Sequence, residues 1–102
     1  MSVQLKKGVL DLCVLSRLKH NDTYGYDIYQ FIDKVLGISE STIYPILRKM
    51  VHEGYLDTYL KESPDGPARK YFSITRKGRK RLDDLTDEWD GFVRRVEQLV
   101  VR

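Results

Sequence analysis

One stretch of this chain carries hydroxyl, aromatic and cationic side chains at a spacing that suits contact with nucleic acid. From Ser39 to Leu56 it reads SESTIYPILRKMVHEGYL. Apolar residues recur there at the spacing of one helix face, and these are Ile43, Leu47, Met50 and Val51. The opposite face carries side chains that hydrogen-bond phosphates and base edges. We predict that the DNA contacts of this helix come from Ser39, Ser41, Thr42, Tyr44, Pro45, Arg48 and Lys49.

A central helix and a second, amphipathic helix are predicted ahead of this stretch. The first helix is predicted from Gln4 to Lys19. Its apolar side chains, among them Leu5, cover much of the helix circumference, which is typical of a helix that is covered on most sides. The second helix is predicted from about Tyr24 to Leu36, with Asp22 or Thr23 as its N-cap. Its apolar positions at helical spacing are Tyr24, Ile28, Phe31, Ile32, Val35 and Leu36.

A short glycine turn joins the second helix to the DNA-reading one. Gly37 suits the left-handed conformation that ends a helix, and only Gly37 and Ile38 separate that end from Ser39. Two helices joined in this way are the signature of a helix-turn-helix motif. Alone, the helix face also fits a solvated surface with incidental charges, but this context favours DNA contact.

A β-hairpin is predicted after the DNA-reading helix, because two runs rich in β-forming residues flank a dense turn signal. The runs are Tyr55 to Lys61 and Arg69 to Thr75, and the turn is the Ser-Pro-Asp-Gly-Pro sequence at 63–67. Prolines are not expected inside strands, so both strands should stop short of that turn. The base of the hairpin carries three further candidate DNA contacts, Lys61, Arg69 and Lys70.

The last predicted helix begins after Thr75, its expected cap, and is about 25 residues long. Its apolar residues alternate in steps of three and four, which is typical of a helix that pairs with another helix. Because the chain's own core already has three helices to fill it, we predict a homodimer formed largely through this helix. The predicted dimer interface is Leu82, Leu85, Trp89, Phe92, Val93, Val96, Leu99 and Val100.

These elements predict a mainly α fold with a β-hairpin wing, a winged helix-turn-helix with one long C-terminal dimerisation helix. Residues 1–75 form the predicted DNA-binding domain and residues 76–102 the dimerisation helix, together one compact unit. A length of 102 residues is sufficient for one core.

Two features of the last helix have two interpretations each. Trp89, with Phe92 beside it, either packs in the dimer interface or stacks on an aromatic ligand held between two copies. The cationic run at 76–81 opposes the helix dipole, so it attracts an anion. That anion could be a DNA phosphate or the carboxylates of Asp83, Asp84 and Asp87.

Composition excludes several other classes of protein. No run approaches the roughly 18 apolar residues of a membrane span, and no signal-peptide pattern opens the chain. One cysteine and two distant histidines do not supply the ligand spacing of a usual zinc site, so we expect no metal and no cofactor. No set of catalytic residues converges, which argues against an enzyme. We expect a cytoplasmic protein, with Cys13 as a small buried apolar residue in a reducing compartment.

Positive charge is concentrated where DNA contact is predicted. Residues 39–81 hold 10 Lys and Arg against 5 Asp and Glu, whereas residues 82–102 hold 3 against 6. A basic middle backed by an acidic, solvated helix is the distribution expected of a nucleic-acid-binding surface.

Three motifs resemble PadR-type transcriptional regulators: YGYDI at 24–28, STIYPILRKMVHEGYL at 41–56 and GPARKYFSITRKGRKRL at 66–82. The resemblance covers nearly the whole chain. It implies a winged helix-turn-helix, a dimer through the C-terminal helix, and repression by binding a palindromic operator in double-stranded DNA. The single C-terminal helix is similar to that of the short subfamily.

The resemblance also implies roles for individual residues. Tyr44 and Pro45 would enter the major groove, and the wing would touch the backbone or minor groove. In multidrug-responsive short members a tryptophan on this helix lines a ligand pore at the dimer interface, and Trp89 matches it, so a small aromatic effector is implied. The alternative outside this class is a winged helix that binds other proteins and never meets DNA.

Overall fold

The structure, a computed structural model, describes the backbone from residue 3 and the side chains from residue 8 to Arg102. The side chain of Leu5 therefore lies outside the described residues. The elements in chain order are α1 (Val3–His20), β1 (Thr23–Tyr24), α2 (Gly25–Leu36), α3 (Glu40–His52), β2 (Leu56–Ser63), β3 (Gly66–Ile74) and α4 (Arg76–Glu97). The predicted fold class, mainly α with a β-hairpin wing, is confirmed.

The core lies where α1 meets the other three helices and the base of the sheet. Leu15 and Leu18 of α1 are almost completely buried, as the largely apolar circumference of that helix predicts. Every other element except the short strand β1 contributes apolar residues to the same cluster. Its remaining members are Leu10, Val14, Ile28, Ile32, Ile43, Leu47, Met50, Leu56, Phe72, Leu82 and Leu85.

The turn between α2 and α3 is as short as predicted. Gly37 takes the left-handed conformation at φ 64°, and its N–H donates to the carbonyl of Asp33 at 2.8 Å. An L side chain is strained in that conformation, which accounts for a glycine here. The tight turn fixes the angle between α2 and α3.

The sheet has three antiparallel strands in the order β1-β3-β2, one strand more than predicted. Thr23 pairs with Phe72, and Tyr24 pairs with Tyr71. The prediction that Asp22 or Thr23 caps α2 is wrong. Tyr24 occupies the N-cap position without a side-chain hydrogen bond, because Thr23 belongs to the sheet and its hydroxyl donates to Asp27 at 2.9 Å.

The wing strands extend further towards the tip than predicted. Ser63 pairs with Gly66, and Pro67 lies inside β3. The pairing is irregular between Lys61 and Ser63, opposite this proline. A strand tolerates a missing backbone donor at such an irregularity.

Helix α4 begins as predicted, because the hydroxyl of Thr75 accepts from the Gly78 N–H at 2.9 Å. It ends earlier, at Glu97, so Leu99 and Val100 lie beyond it. The Gln98 N–H already bonds to the carbonyl three residues back, which is the tighter spacing of a helix end.

The apolar residues of α4 divide into two groups. Leu82 and Leu85 pack into the chain's own core, so these two residues of the predicted dimer interface are occupied within one protomer. The distal residues remain accessible, with Trp89 and Val96 each 37% exposed. The apolar positions of α2 divide likewise, because Ile28 and Ile32 are buried while Phe31, Val35 and Leu36 are exposed.

Candidate nucleic-acid interface

Helix α3 presents a free face opposite the core. Ile43, Leu47 and Met50 are buried, which directs the positions half a turn away towards solvent. Among the described side chains, that of Arg48 makes no hydrogen bond or ion pair. The exposed residues of this face are Ser41, Pro45, Arg48 and His52.

A cluster of hydroxyl groups marks the start of this face. The Ser39 hydroxyl lies 3.0 Å from that of Ser41 and 2.8 Å from that of Thr42. Ser39 is the N-cap residue of α3, but its side chain makes no hydrogen bond to the helix backbone. Hydroxyls both donate and accept, so the cluster can rearrange to bind a phosphate oxygen or a base edge.

Pro45 lies in the second turn of α3, six residues after the N-cap residue Ser39. It is exposed, and its missing N–H leaves the carbonyl of Ser41 without its usual helical donor. Only one intrahelical bond is lost, and the helix continues to His52.

Tyr44 lies on the flank of α3 that faces α2 and is half-buried. Burial, and then the nearby negative charge of Glu40, raise the pKa of its phenol. The hydroxyl therefore stays protonated and can donate a hydrogen bond.

Lys49, which the sequence predicts as a DNA contact, lies on the other flank of α3 and forms an ion pair within the chain. Its Nζ binds the Asp11 carboxylate of α1 at 3.1 Å. Asp11 is buried, and its second carboxylate oxygen has no hydrogen-bond partner among the described residues. Lys49 thus holds α3 against α1 and neutralises a buried charge.

The outer face of the sheet carries a row of three tyrosine rings. Tyr71 lies 5.6 Å from Tyr24 and 5.7 Å from Tyr59, measured between ring centroids. The Tyr59 hydroxyl donates to Asp22 at 2.8 Å, which anchors the row to the segment before α2. Cross-strand aromatic pairs stiffen a hairpin, so the base of the wing is braced.

All three predicted wing cations stack on aromatic rings. The charged groups of Lys61, Arg69 and Lys70 lie 5.0, 4.5 and 5.6 Å from the centroids of Tyr71, Tyr24 and Phe72, respectively. Such contacts orient a cation without neutralising its charge. The sequence pattern placed Tyr24 only among the apolar positions of the second helix. The missed signal was that Tyr24 and Arg69 become neighbours once β1 pairs with β3.

The cationic run at the start of α4 is partly committed within the chain. Lys77 donates to the carbonyl of Glu53 at 2.7 Å and lies 5.0 Å from the Tyr55 ring. Lys80 lies 3.9 Å from Asp84. Arg76 and Arg79 remain exposed.

A separate apolar groove lies between α1, α2 and α4, and Trp89 is one of the residues that line it. The groove has a volume of about 510 Å³. Trp89 is 6.4 Å from Phe92 between ring centroids, and burial raises the pKa of the Cys13 thiol in the groove wall. The apolar lining is Val9, Leu12, Cys13, Phe31, Ile32, Val35, Leu36 and Trp89.

Two other kinds of site were considered for the described part of the chain. None of its helices combines the length and apolar character needed to cross a membrane. Nor do its His, Cys, Asp and Glu side chains form a group of three or more that could hold a metal ion.

Comparisons with known proteins identify similar chains. The model of the transcriptional regulator PadR-like family matches residues 14–84. A Streptococcus transcriptional regulator has a similar structure, with a TM-score of 0.87 and 36% identity over 96% of this chain and 98% of that one. For a PadR-like transcriptional regulator of Bacillus cereus the TM-score is 0.84 and the identity 36%, over 94% and 95%. The negative transcriptional regulator PadR of Bacillus subtilis is 29% identical over 74% of this chain and 44% of its own length.

Proposed function

This chain belongs to the PadR-like family of transcriptional regulators and is not an enzyme, and from that premise we propose that it is a homodimeric repressor of a palindromic DNA operator. It would act in the cytoplasm, where chromosomal DNA is accessible. The name of the Bacillus subtilis relative, a negative regulator, supports repression over activation.

The observation that carries the proposal is the free face of α3 beside a braced, basic wing. Arg48 projects from that face without an intrachain partner among the described residues, and the hydroxyl cluster lies about two turns before it. Arginine is the side chain that most often reads guanine in the major groove. Lys61, Arg69 and Lys70 would contact the adjacent sugar–phosphate backbone.

The dimer is supported by the apolar surface that one protomer leaves uncovered. The groove between α1, α2 and α4 has a wall of exposed apolar side chains, of which Val35 is 76% exposed. The distal half of α4 exposes a second apolar surface at Trp89, Phe92, Val93 and Val96. Contiguous apolar surface of this kind marks an interaction site. Two copies would place their α3 helices roughly 34 Å apart, one turn of DNA.

A small aromatic effector is the remaining part of the proposal. Trp89 and Phe92 offer two rings beside the apolar groove, and a planar ligand could stack on them. A bound ligand that favours one angle between the two protomers would shift the separation of the α3 helices by population shift. Trp89 is the only tryptophan in the chain. A titration with planar aromatic cations should therefore quench its fluorescence, and an unchanged signal would mean that it only packs.

Selection of bound duplexes from random DNA tests the proposal as a whole. We expect a palindrome with half-sites about one helical turn apart. Affinity should fall about a thousand-fold or more between roughly 50 and 200 mM salt if six or more phosphates are contacted. Absence of any enriched sequence, with no salt-dependent binding, would favour the alternative of a protein-binding winged helix.

The variant Arg48→Ala tests whether the exposed face of α3 contacts the DNA bases. We expect about a ten-fold or larger loss of affinity for the selected duplex, with relaxed preference at one base pair. The matched control is Arg94→Ala, which removes the same charge from an exposed position in the last turn of α4. Equal affinities for the two variants would refute the assignment of this face.

A further inference from the structure

A cleft lies between the wing, the start of α2 and the flank of α3. Its volume is about 540 Å³. The pairing of Tyr24 with Tyr71 creates it, because β1 brings the first turn of α2 beside strand β3. The cleft is lined by Tyr24, Gly25, Tyr26, Gln30, Tyr44, Arg69 and Lys70.

The position of Tyr44 in this cleft depends on a glycine. A Cβ atom on Gly25 would lie 2.7 Å from Cε1 of the Tyr44 ring, far inside van der Waals contact. The ring therefore packs directly on the backbone of α2, where any larger residue would displace it. This contact holds the Tyr44 side chain at the wall of the cleft instead of letting it extend freely from α3.

The lining has the chemistry of an anion site. It combines two cations, three phenol groups and one amide with no carboxylate. The acid nearest along α2, Asp27, is already bound by Arg17 at 2.7 Å and by the Thr23 hydroxyl. Glu40 is the acid whose charge reaches Tyr44.

Arg69 is oriented for such a site. Its guanidinium lies 4.5 Å from the centroid of the Tyr24 ring. Stacking uses the flat face of the guanidinium and leaves its N–H edges available for bidentate contact with two oxygens of one phosphate. The stack therefore lowers the conformational entropy that Arg69 would lose on binding an anion.

We propose that this cleft binds one phosphate of the DNA backbone, next to the base pairs that α3 reads, through Tyr26, Gln30, Tyr44, Arg69 and Lys70. The inference rests on the proposed function, because it takes α3 to be the DNA-reading helix. It adds Tyr26 and Gln30 of α2 to the DNA-binding surface and makes the cleft a clamp that sets the depth of α3 in the groove.

The test uses the full chain and duplexes of the selected sequence in which one phosphate at a time is replaced by an uncharged methylphosphonate. With the natural protein, neutralising the clamped phosphate should weaken binding about ten-fold. Arg69→Ala should weaken binding to the unmodified duplex by a similar factor and lower the salt slope by about one. At the clamped phosphate alone, the two losses should not add, because they remove the same contact.

Tyr26→Phe and Tyr44→Phe test the cleft without changing charge or ring packing. Each should weaken binding several-fold, equally for the selected and a scrambled duplex, because a phosphate carries no sequence information. Tyr29→Phe is the matched control. It also removes a hydroxyl from α2, but this hydroxyl donates to Asp33 at 3.2 Å and does not line the cleft. Thermal melting should show that all three variants remain folded.

Three results would overturn the inference. Natural affinity in both cleft variants would exclude contact through the phenols, and additive losses at every phosphate would exclude a clamped one. Weakening confined to the selected sequence would indicate base contact instead. If the natural protein bound no duplex at all, the proposed function itself would fail. That outcome differs from one in which the protein binds DNA but the cleft contacts no phosphate.

Discussion

Arg48 and Lys49 are adjacent cations on α3, and their neighbours give them different roles. Sequence pattern places both on the outward side of the helix, and for Arg48 the structure agrees. The partner of Lys49 is Asp11, 38 positions earlier in the chain. Helical periodicity describes one helix at a time, so it contains no information about a partner on another helix. The same reasoning explains why Tyr24 and Arg69 were not recognised as neighbours.

Lys49→Ala should reduce stability more than DNA affinity. It leaves the buried Asp11 carboxylate without its counter-ion, and because Lys49 is itself 43% exposed we expect a loss of only about 1–2 kcal/mol in the free energy of unfolding. Urea denaturation measures this. The double variant Asp11→Asn with Lys49→Ala should recover part of the loss, since an amide leaves no unpaired charge.

The contrary result at this pair would be informative. If Lys49→Ala kept the natural stability but lost as much DNA affinity as Arg48→Ala, then the ion pair opens on binding and Lys49 contacts DNA directly, as its sequence position predicts.

The helices and the two long strands were predictable from the sequence, and the shortest strand, β1, was not. Helix α1, the turn at Gly37 and the Thr75 cap of α4 follow from apolar periodicity and local capping chemistry. Strand β1 has two residues, too few for any periodicity, and it exists because β3 supplies its hydrogen-bond partners some 48 positions later. The end of α4 was also misplaced, since apolar spacing continues past Glu97 although the helix does not.

Gly78 and Gly91 of α4 should respond in opposite directions to the same substitution. A Cβ on Gly78 would lie 2.2 Å from the carbonyl oxygen of Tyr55, a backbone atom that cannot easily move. Gly78→Ala should therefore cost about 1–3 kcal/mol of unfolding free energy. At Gly91 the nearest atom is the flexible end of Arg95, at 3.3 Å.

Gly91→Ala should accordingly stabilise the protein by up to about 1 kcal/mol through helix propensity. Denaturant melts of both variants measure the difference. Equal effects of the two substitutions would mean that α4 does not pack on the Tyr55 backbone as described.

At the scale of the whole molecule, stability should decline in alkali. The pKa values of Cys13, Tyr29, Tyr44 and Tyr59 are all raised from their ordinary values of 9.0 for cysteine and 10.0 for tyrosine. The folded state thus holds these protons more tightly than the unfolded state. Their stabilising contribution is complete below those ordinary pKa values and is lost as the pH rises above them, through the raised pKa values of the folded state.

The variant Tyr59→Phe measures how much the Tyr59 phenol contributes to this loss of stability in alkali. The hydrogen bond to Asp22 is the main cause of the raised pKa of Tyr59, whose ordinary value is 10.0, so removal of this hydroxyl should make the free energy of unfolding depend less steeply on pH in the alkaline range above that value. Urea midpoints across that range measure the slope. A slope unchanged in Tyr59→Phe would show that this phenol does not contribute.

The dimer is the property that depends on the whole molecule, and Val96→Asp should remove it. Val96 lies beyond the part of α4 that packs into the protomer's core at Leu82 and Leu85, so a charge there should leave the fold intact while opposing an apolar interface. We expect monomers by light scattering and a large loss of affinity for a palindrome, because each monomer then binds only one half-site. Val101→Asp is the control, since Val101 is 95% exposed beyond the helix. A variant that stays dimeric would place the interface elsewhere, and a monomer with natural affinity would mean that pairing of the two α3 helices contributes nothing to DNA binding.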